Sequence, residues 1–336
     1  MAFSSTFDPT PNATTVQGAS VSNREDLLDV LTILAPEETP VLSSASKQKA
    51  NATFVEWTVD SLATPSTDGI TEGADVSSFT DKFASRARLG NYVQKFRRDF
   101  MVSDLQEAVD SVGPAKVAQA EAKAIRELKR DIEATLLSDN ERQAETGALP
   151  YKLRGLKQWL ASDNTDVPTE YETPGTSRST SGADIDESAF NAIIQSIYRE
   201  NGEANNLTLI ADTKLRQQLA DYARFVGTAN NLGTPANAEG IRRVSTDMGS
   251  TTIKLSIEIY QSDFGTVSIV NMNPDTAPDT SAQDHGYLIN PAYYGVHELI
   301  PMGSSRLPNM GGGERGFVDC ALTLGVYAPQ AHGIIT

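Results

Sequence analysis

His297-Glu298 opens a pair used by zinc hydrolases, in which two histidines four apart on one helix face hold the metal and the glutamate serves as base. Four positions after His297 stands Pro301, so the second ligand is missing. The chain has three histidines, His285, His297 and His332, and one cysteine, Cys320. A metal centre built from protein groups would therefore need carboxylates. Asp263-Phe264-Gly265 repeats a magnesium-holding tripeptide of protein kinases, but neither the glycine-rich loop nor the catalytic loop that must accompany it is present. A hairpin turn accounts for it better. Gly311-Gly312-Gly313 lacks the Lys-Ser/Thr that completes a phosphate-binding loop and reads as a flexible connection. No G-x-S-x-G elbow occurs. The carboxylate groups Glu37-Glu38 and Asp184/Asp186/Glu187 stand where helices begin, and capping is the simpler role for them. Cys320 lies in an apolar strand-like run, where a packed thiol is expected rather than a nucleophile. The expectation is a chain without catalytic residues, cofactor or metal.

One cluster survives this search: Lys82, Arg86, Arg88, Lys95, Arg97 and Arg98, interleaved with Phe83, Leu89, Tyr92, Phe96 and Phe100. Cations alternating with aromatics suit single-stranded nucleic acid. They also suit a solvated strand face, or a surface that meets acidic groups on a neighbouring copy of the chain. The last fits the net charge best, since 44 acids against 28 bases leave the chain at −16. A protein that grips DNA by its phosphates concentrates Lys and Arg instead.

The elements that must position this cluster follow from periodicity. Residues 1 to about 22 are rich in Ser, Thr, Pro and Asn and read as an extended arm. Leu27, Leu28, Leu31 and Leu34 mark a short helix from 24 to 34, with Pro36 beyond its end. From 49 to 100, a run holding Phe54, Trp57 and Val59, a turn-rich stretch and a return leg rich in strand formers predict a hairpin with no core of its own. Pro114 then opens the longest element, an uninterrupted run of helix formers to Ser138 that would be roughly 38 Å long. Val117, Ala118, Ala122, Ile125, Leu128, Ile132 and Leu136 fall on its apolar stripe; Glu121, Lys123, Arg126, Glu127, Arg130 and Glu133 lie outside it.

The segment 166–182 reads as a polar linker. A compact α/β stretch follows: a capping box of Asp184 with Glu187, a helix through Phe190, Ile193, Ile194, Ile197 and Tyr198 up to Gly202, the strand 207–211, and a second helix capped by Asp212. Alternation at Ile253, Leu255, Ile257 and Ile259 predicts a strand joined by the 263–265 turn to the next. A strand at 287–290, an aromatic stretch, and a last strand 317–328 with a short tail complete the chain. No run of about 18 apolar residues is available to cross a membrane, and the first residues carry no basic or apolar leader. The expectation is a protein made and kept in cytoplasm, or exported by a route that reads no such signal.

This order of elements resembles the Hong Kong 97-type major capsid proteins of tailed bacteriophages, in a podovirus-like branch. The stretches that carry the resemblance are NYVQKFRRDFMVSDLQEAVDSVG running into KVAQAEAKAIRELKRDIEATLLSDN, then LIADTKLRQQLADY, and the ending ERGFVDCALTLGVYAPQAHGII. The resemblance implies an α+β capsid fold: an N-terminal arm (1–48), an extended loop lying across the adjacent subunit (49–100), and a peripheral domain (101–183) with its spine helix at 113–138. An axial domain (184–273) and a return to the peripheral domain (274–336) follow. It implies a virion shell of pentamers and hexamers around a double-stranded DNA genome, assembled in host cytoplasm. The implied partners are a separate scaffolding protein, a portal and a decoration or cement protein, with weak contact at most to packaged DNA and none to membrane. The inter-subunit candidates are then Lys82, Arg86, Arg88, Lys95, Phe96, Arg97 and Arg98. The competing expectations are a virion-associated binding or adhesion domain, which would stay monomeric or form one small closed oligomer, and a hydrolase without a recognisable motif.

Overall fold

The computed structural model describes residues 38–109, 116–162, 166–179, 185–202, 204, 206–222, 244–247, 250–253, 258–278 and 285–336. The expected helix at 24–34 and Pro114 lie outside the described residues. Two sheets dominate. The first has four strands, in the order β1 (Ser46–Lys49), β12 (Tyr294–Leu307), β13 (Glu314–Val326), β4 (Gln94–Val102). The second has six: β5 (Arg178–Ser179), β14 (Gly333–Ile335), β11 (Gly286–Ile289), β6 (Leu207–Ala211), β10 (Gly265–Asn271) and β9 (Ile259–Ser262). Two separate pairs, β2 (Phe54–Val59) with β3 (Ala87–Tyr92) and β7 (Val244–Asp247) with β8 (Ser250–Ile253), complete the strands. The helices are α1 (Pro40–Ser44), α2 (Asp104–Ala108), α3 (Lys116–Leu137), α4 (Leu156–Trp159), α5 (Glu187–Asn201) and α6 (Thr213–Tyr222).

Helix α3 packs along β4 and β13, and its buried Val117, Ala124, Leu128, Ile132 and Leu136 meet Phe96, Phe100, Val318, Cys320 and Leu322 from the sheet. The stripe read from the sequence is right in its large residues and wrong at its margins. Ala118 and Ala122 are exposed, and Glu133 is fully buried. Helix α1 lies against the α3 flank that carries Glu133, and the Glu133 carboxylate accepts the Val41 and Leu42 N–H groups at 2.8 and 2.9 Å. Periodicity along one helix carries no information about a second element wrapped on its flank.

Strands β6, β11 and β14 of the six-stranded sheet are buried on both faces. Leu207, Leu209, Leu288 and Ile335 pack with α5 and α6, while the alternate residues Ile210, Tyr287, Ile289 and Ile334 join the core around α3. Helix α5 begins at Asp186, whose side chain accepts the Ala189 N–H at 2.8 Å, and stops at Gly202, left-handed at φ +72°. The expected Asp184/Glu187 box is therefore corrected by two residues; Asp184 itself lies outside the described residues.

Three further expectations change. The 49–100 hairpin is real only for β2 with β3. At Val93 the return leg departs and β4 joins the four-stranded sheet against β13, because the apolar alternation of Phe96 and Phe100 needs α3 to cover it. Of the strand read across 252–259, residues 254–257 lie outside the described residues; Ile253 ends β8, paired to β7, and Ile259 opens β9, paired to β10. The segment read as a linker at 166–182 is packed over its described part, 166–179: Val167, Tyr171, Thr173 and Ser177 are buried, and its hydroxyls bond to Pro329 O and Ser196. Finally, 274–336 does not return as a unit, since β11 and β14 belong to the six-stranded sheet. The Asp263-Phe264 turn between β9 and β10 is a hairpin turn, as read.

Candidate inter-subunit surfaces

The cationic cluster read from the sequence is divided between two places by the break at Val93. Lys82, Arg86 and Arg88 belong to the β2–β3 ribbon and the loop it carries. Lys95, Phe96, Arg97 and Arg98 lie on β4 of the four-stranded sheet.

Most of these side chains are already engaged within their own chain. At the base of the loop, Arg86 pairs with Asp60 at 3.0 Å, and Asp60 also accepts the Ser85 hydroxyl at 3.0 Å. Those two donors hold the exposed Asp60 carboxyl below its usual range, against a smaller opposing effect of burial. The base is tied down further by Tyr171, whose hydroxyl donates to Ser85 O, and by Ser61, which donates to Glu170. Arg88 reaches Glu56 at 3.7 Å, and Lys95 reaches Asp319 at 3.0 Å. Arg98 forks onto Asp131 of α3 through two bonds of 2.5 and 2.7 Å, which raise its pKa further. Phe96 is 7% exposed and points at α3, so it is corrected from a contact residue to a core residue. Strand alternation, with a helix on one side only, decides that. Lys82 and Arg97 remain exposed and without an ion-pair partner among the described residues.

Two surfaces were not foreseen. The first is the loop itself. Every residue from 62 to 84 is exposed, with Leu62, Ile70, Val76, Phe79 and Phe83 between 64% and 98% accessible. Its charge is opposite to the sequence-based expectation, because 62–81 contains Asp68, Glu72, Asp75 and Asp81 and no Lys or Arg. The second is the face of the four-stranded sheet away from α3. Across three of its strands, β12, β13 and β4, rungs of partners run Gly303–Asp319–Arg97, Ser305–Phe317–Asp99 and Leu307–Arg315–Met101. Arg97, Asp99, Met101 and Leu307 on those rungs are exposed. Alternation in β4 was legible in the sequence, but which face would be covered was not.

Among the described residues no group of three His, Cys, Asp or Glu could hold a metal ion. His332 is fully buried, accepts the Asn290 N–H at Nδ1, and is pushed down to about 4, so it is neutral. His297 is lowered by burial, and its Nε2 lies 3.0 Å from the Tyr327 hydroxyl. Cys320 is 2% exposed and pushed up to about 12 by burial. Its thiol is expected to resist alkylation in the native subunit and to react only on unfolding. Labelling at neutral pH followed by intact mass checks this; prompt labelling of folded protein would show that β13 opens.

A helix laid lengthwise on a sheet, a second sheet with its own helices, and a long loop carried away from both define the Hong Kong 97-type capsid fold. Solved capsids share it: that of a native GTA particle (TM-score 0.59, 13% identity, 96% of this chain and 99% of that one) and that of cyanophage P-SCSP1u (0.59, 13%, 96% and 94%). The family profile for the SU10 major capsid protein matches residues 10–336, and the chain belongs to that family. It is 31% identical over 139 residues to the major capsid protein of Escherichia phage Phieco32, a match spanning 40% of this chain and about a third (36%) of that protein. The chain is thus a phage major capsid protein, a virion component. Among the described residues, no helix is long and apolar enough to cross a membrane.

Proposed function

We propose that copies of this chain assemble as pentamers and hexamers into the icosahedral shell enclosing the double-stranded DNA genome of a tailed phage, and that its work is mechanical rather than catalytic. The observation that carries the reading is the loop from 60 to 86, clipped at its base and presenting five large apolar side chains to solvent in a single copy. Apolar area left in water disfavours a solitary chain by roughly 25 cal/mol per Å², and a neighbouring subunit beneath the loop would remove it. The four-stranded sheet with α3 serves as the peripheral domain, and the six-stranded sheet with α5 and α6 as the axial domain. The net charge of −16 supports a wall with weak contact at most to packaged DNA. A separate scaffolding protein, a portal and a decoration or cement protein belong to the same reading, as do assembly in host cytoplasm and the podovirus-like branch.

Trypsin gives a direct test, because Lys82 is the sole Lys or Arg between Lys49 and Arg86. The unassembled subunit is expected to be cut after Lys82 first, and the assembled shell to resist under the same conditions. Sedimentation with and without a scaffolding protein establishes which state is present. A subunit that stays monomeric under every condition, or a shell cut at Lys82 as fast as the free chain, would contradict the reading.

A further inference from the structure

We infer that the acidic loop of one copy docks on the uncovered face of the four-stranded sheet of the next, with Arg97 as the cation that receives it. This rests on the shell reading above and specifies the chemistry of the contact. Asp68 just before Ile70, and Glu72 and Asp75 between Ile70 and Val76, face solvent with no ion-pair partner among the described residues. A net charge of −16 disfavours, on average, the approach of such a loop to the chain. The sheet face offers it cations. It carries Lys95, Arg97 and Arg315 against Asp99 and Asp319, and one acid is already taken, since Asp319 is held by Lys95. Arg97 stands directly across from Asp319 and has no ion-pair partner among the described residues, and Arg315 donates Nε and Nη2 to the Pro308 carbonyl and meets no carboxylate among them.

The apolar complement is present on the same rungs. Met101 is 69% exposed and Leu307 46% exposed, and they flank Arg315 one rung from Phe317. Along the loop Leu62, Ile70, Val76 and Phe79 are interspersed with Asp68, Glu72 and Asp75. Electrostatic complementarity of this kind fixes register and excludes wrong partners more than it adds affinity. A shell needs that, because the same loop must find one site on each neighbour.

The polarity is opposite to a basic arm reaching for an acidic neighbour, so charge reversal tests it. Arg97→Glu alone, and Glu72→Lys with Asp75→Lys, are each expected to cut shell yield by at least about tenfold, and combining all three to restore most of it. All three positions are exposed, so thermal unfolding of the unassembled variants should match wild type. As a check that needs no reversed charge, wild-type shells treated with a zero-length carbodiimide should join Lys95 of one copy to an acid within 68–81 of another. Single reversals that assemble normally, a combination with no recovery, or loop acids coupled only to other lysines would each overturn the inference while leaving the shell intact. Wild-type chain that never forms shells would instead remove the reading beneath it.

Discussion

Removing Glu141 and Asp166 together, as Glu141→Ala with Asp166→Ala, is expected to destabilise the subunit by about 3 kcal/mol or more, and by more than Arg154→Met does. Arg154 is fully buried, and its Nη2 lies 2.5 Å from Glu141 and 2.7 Å from Asp166. Its guanidinium sits 4.7 Å from the centre of the Trp159 ring, and its Nη1 is buried without an acceptor among the described residues. The asymmetry follows from burial. The acids are 49% and 40% exposed, so when the arginine is lost they turn to water at little cost. Without the acids, a cation stays in the core with neither countercharge nor acceptor. Methionine fills much of the same volume without a charge, and a loss of about 1–2 kcal/mol is expected for it. The backbone of this segment is held independently, by Asn91 bridging the Arg154 N–H and the Leu324 carbonyl at 2.8 and 2.9 Å. Urea unfolding of the unassembled subunit compares the variants. Arg154→Met proving the more damaging would mean that packing, not charge, governs the site.

Lowering the pH from 7 to 4.5 is expected to stabilise the Glu133 site by up to about 3 kcal/mol relative to a Glu133→Gln variant. Burial pushes the Glu133 carboxyl up to about 7, against the opposing pull of the Val41 and Leu42 N–H groups. A carboxyl whose pKa is raised on folding binds its proton more tightly in the folded state. Its favourable contribution is therefore complete below about 4.5, declines as pH rises towards 7, and is gone above that. The glutamine variant lacks the titration, so the difference between the two should slope through this window and be flat above it. A difference independent of pH between 4.5 and 7.5 would place Glu133 in water with an ordinary pKa. Because Glu133 joins α3 to the first described turn of the chain, the slope reads how firmly that segment is seated.

The sequence was informative where a local pattern had a single physical solution. The unbroken run of helix formers from Lys116 to Leu137 could only be one long helix, and Leu207–Ala211 only a buried strand. The turn at Asp263-Phe264 and the stop at Gly202 follow from chemistry within a few residues. Elements defined by distant partners were not legible. β12 was read as an aromatic stretch because Pro301, Gly303 and a polar end obscure its alternation, and register shifts between Glu298 and Gly303 absorb the irregularity against β13. β14 was read as a tail, since three residues carry no period, yet they sit between β5 and β11.

For the candidate surfaces, the sequence by itself determined the composition: a run of cations near β4, an acidic chain overall, and no motif on which catalysis could be built. The tertiary structure alone decided which charges remain free. Arg86, Arg88, Lys95 and Arg98 each meet an acid within reach, from Asp60 nearby in sequence to Asp319 far from it, whereas Arg97 faces away from α3 and has none among the described residues. Whether a charge is free depends on what lies within about 4 Å, and only folding brings acid and base from distant parts of the chain to that distance.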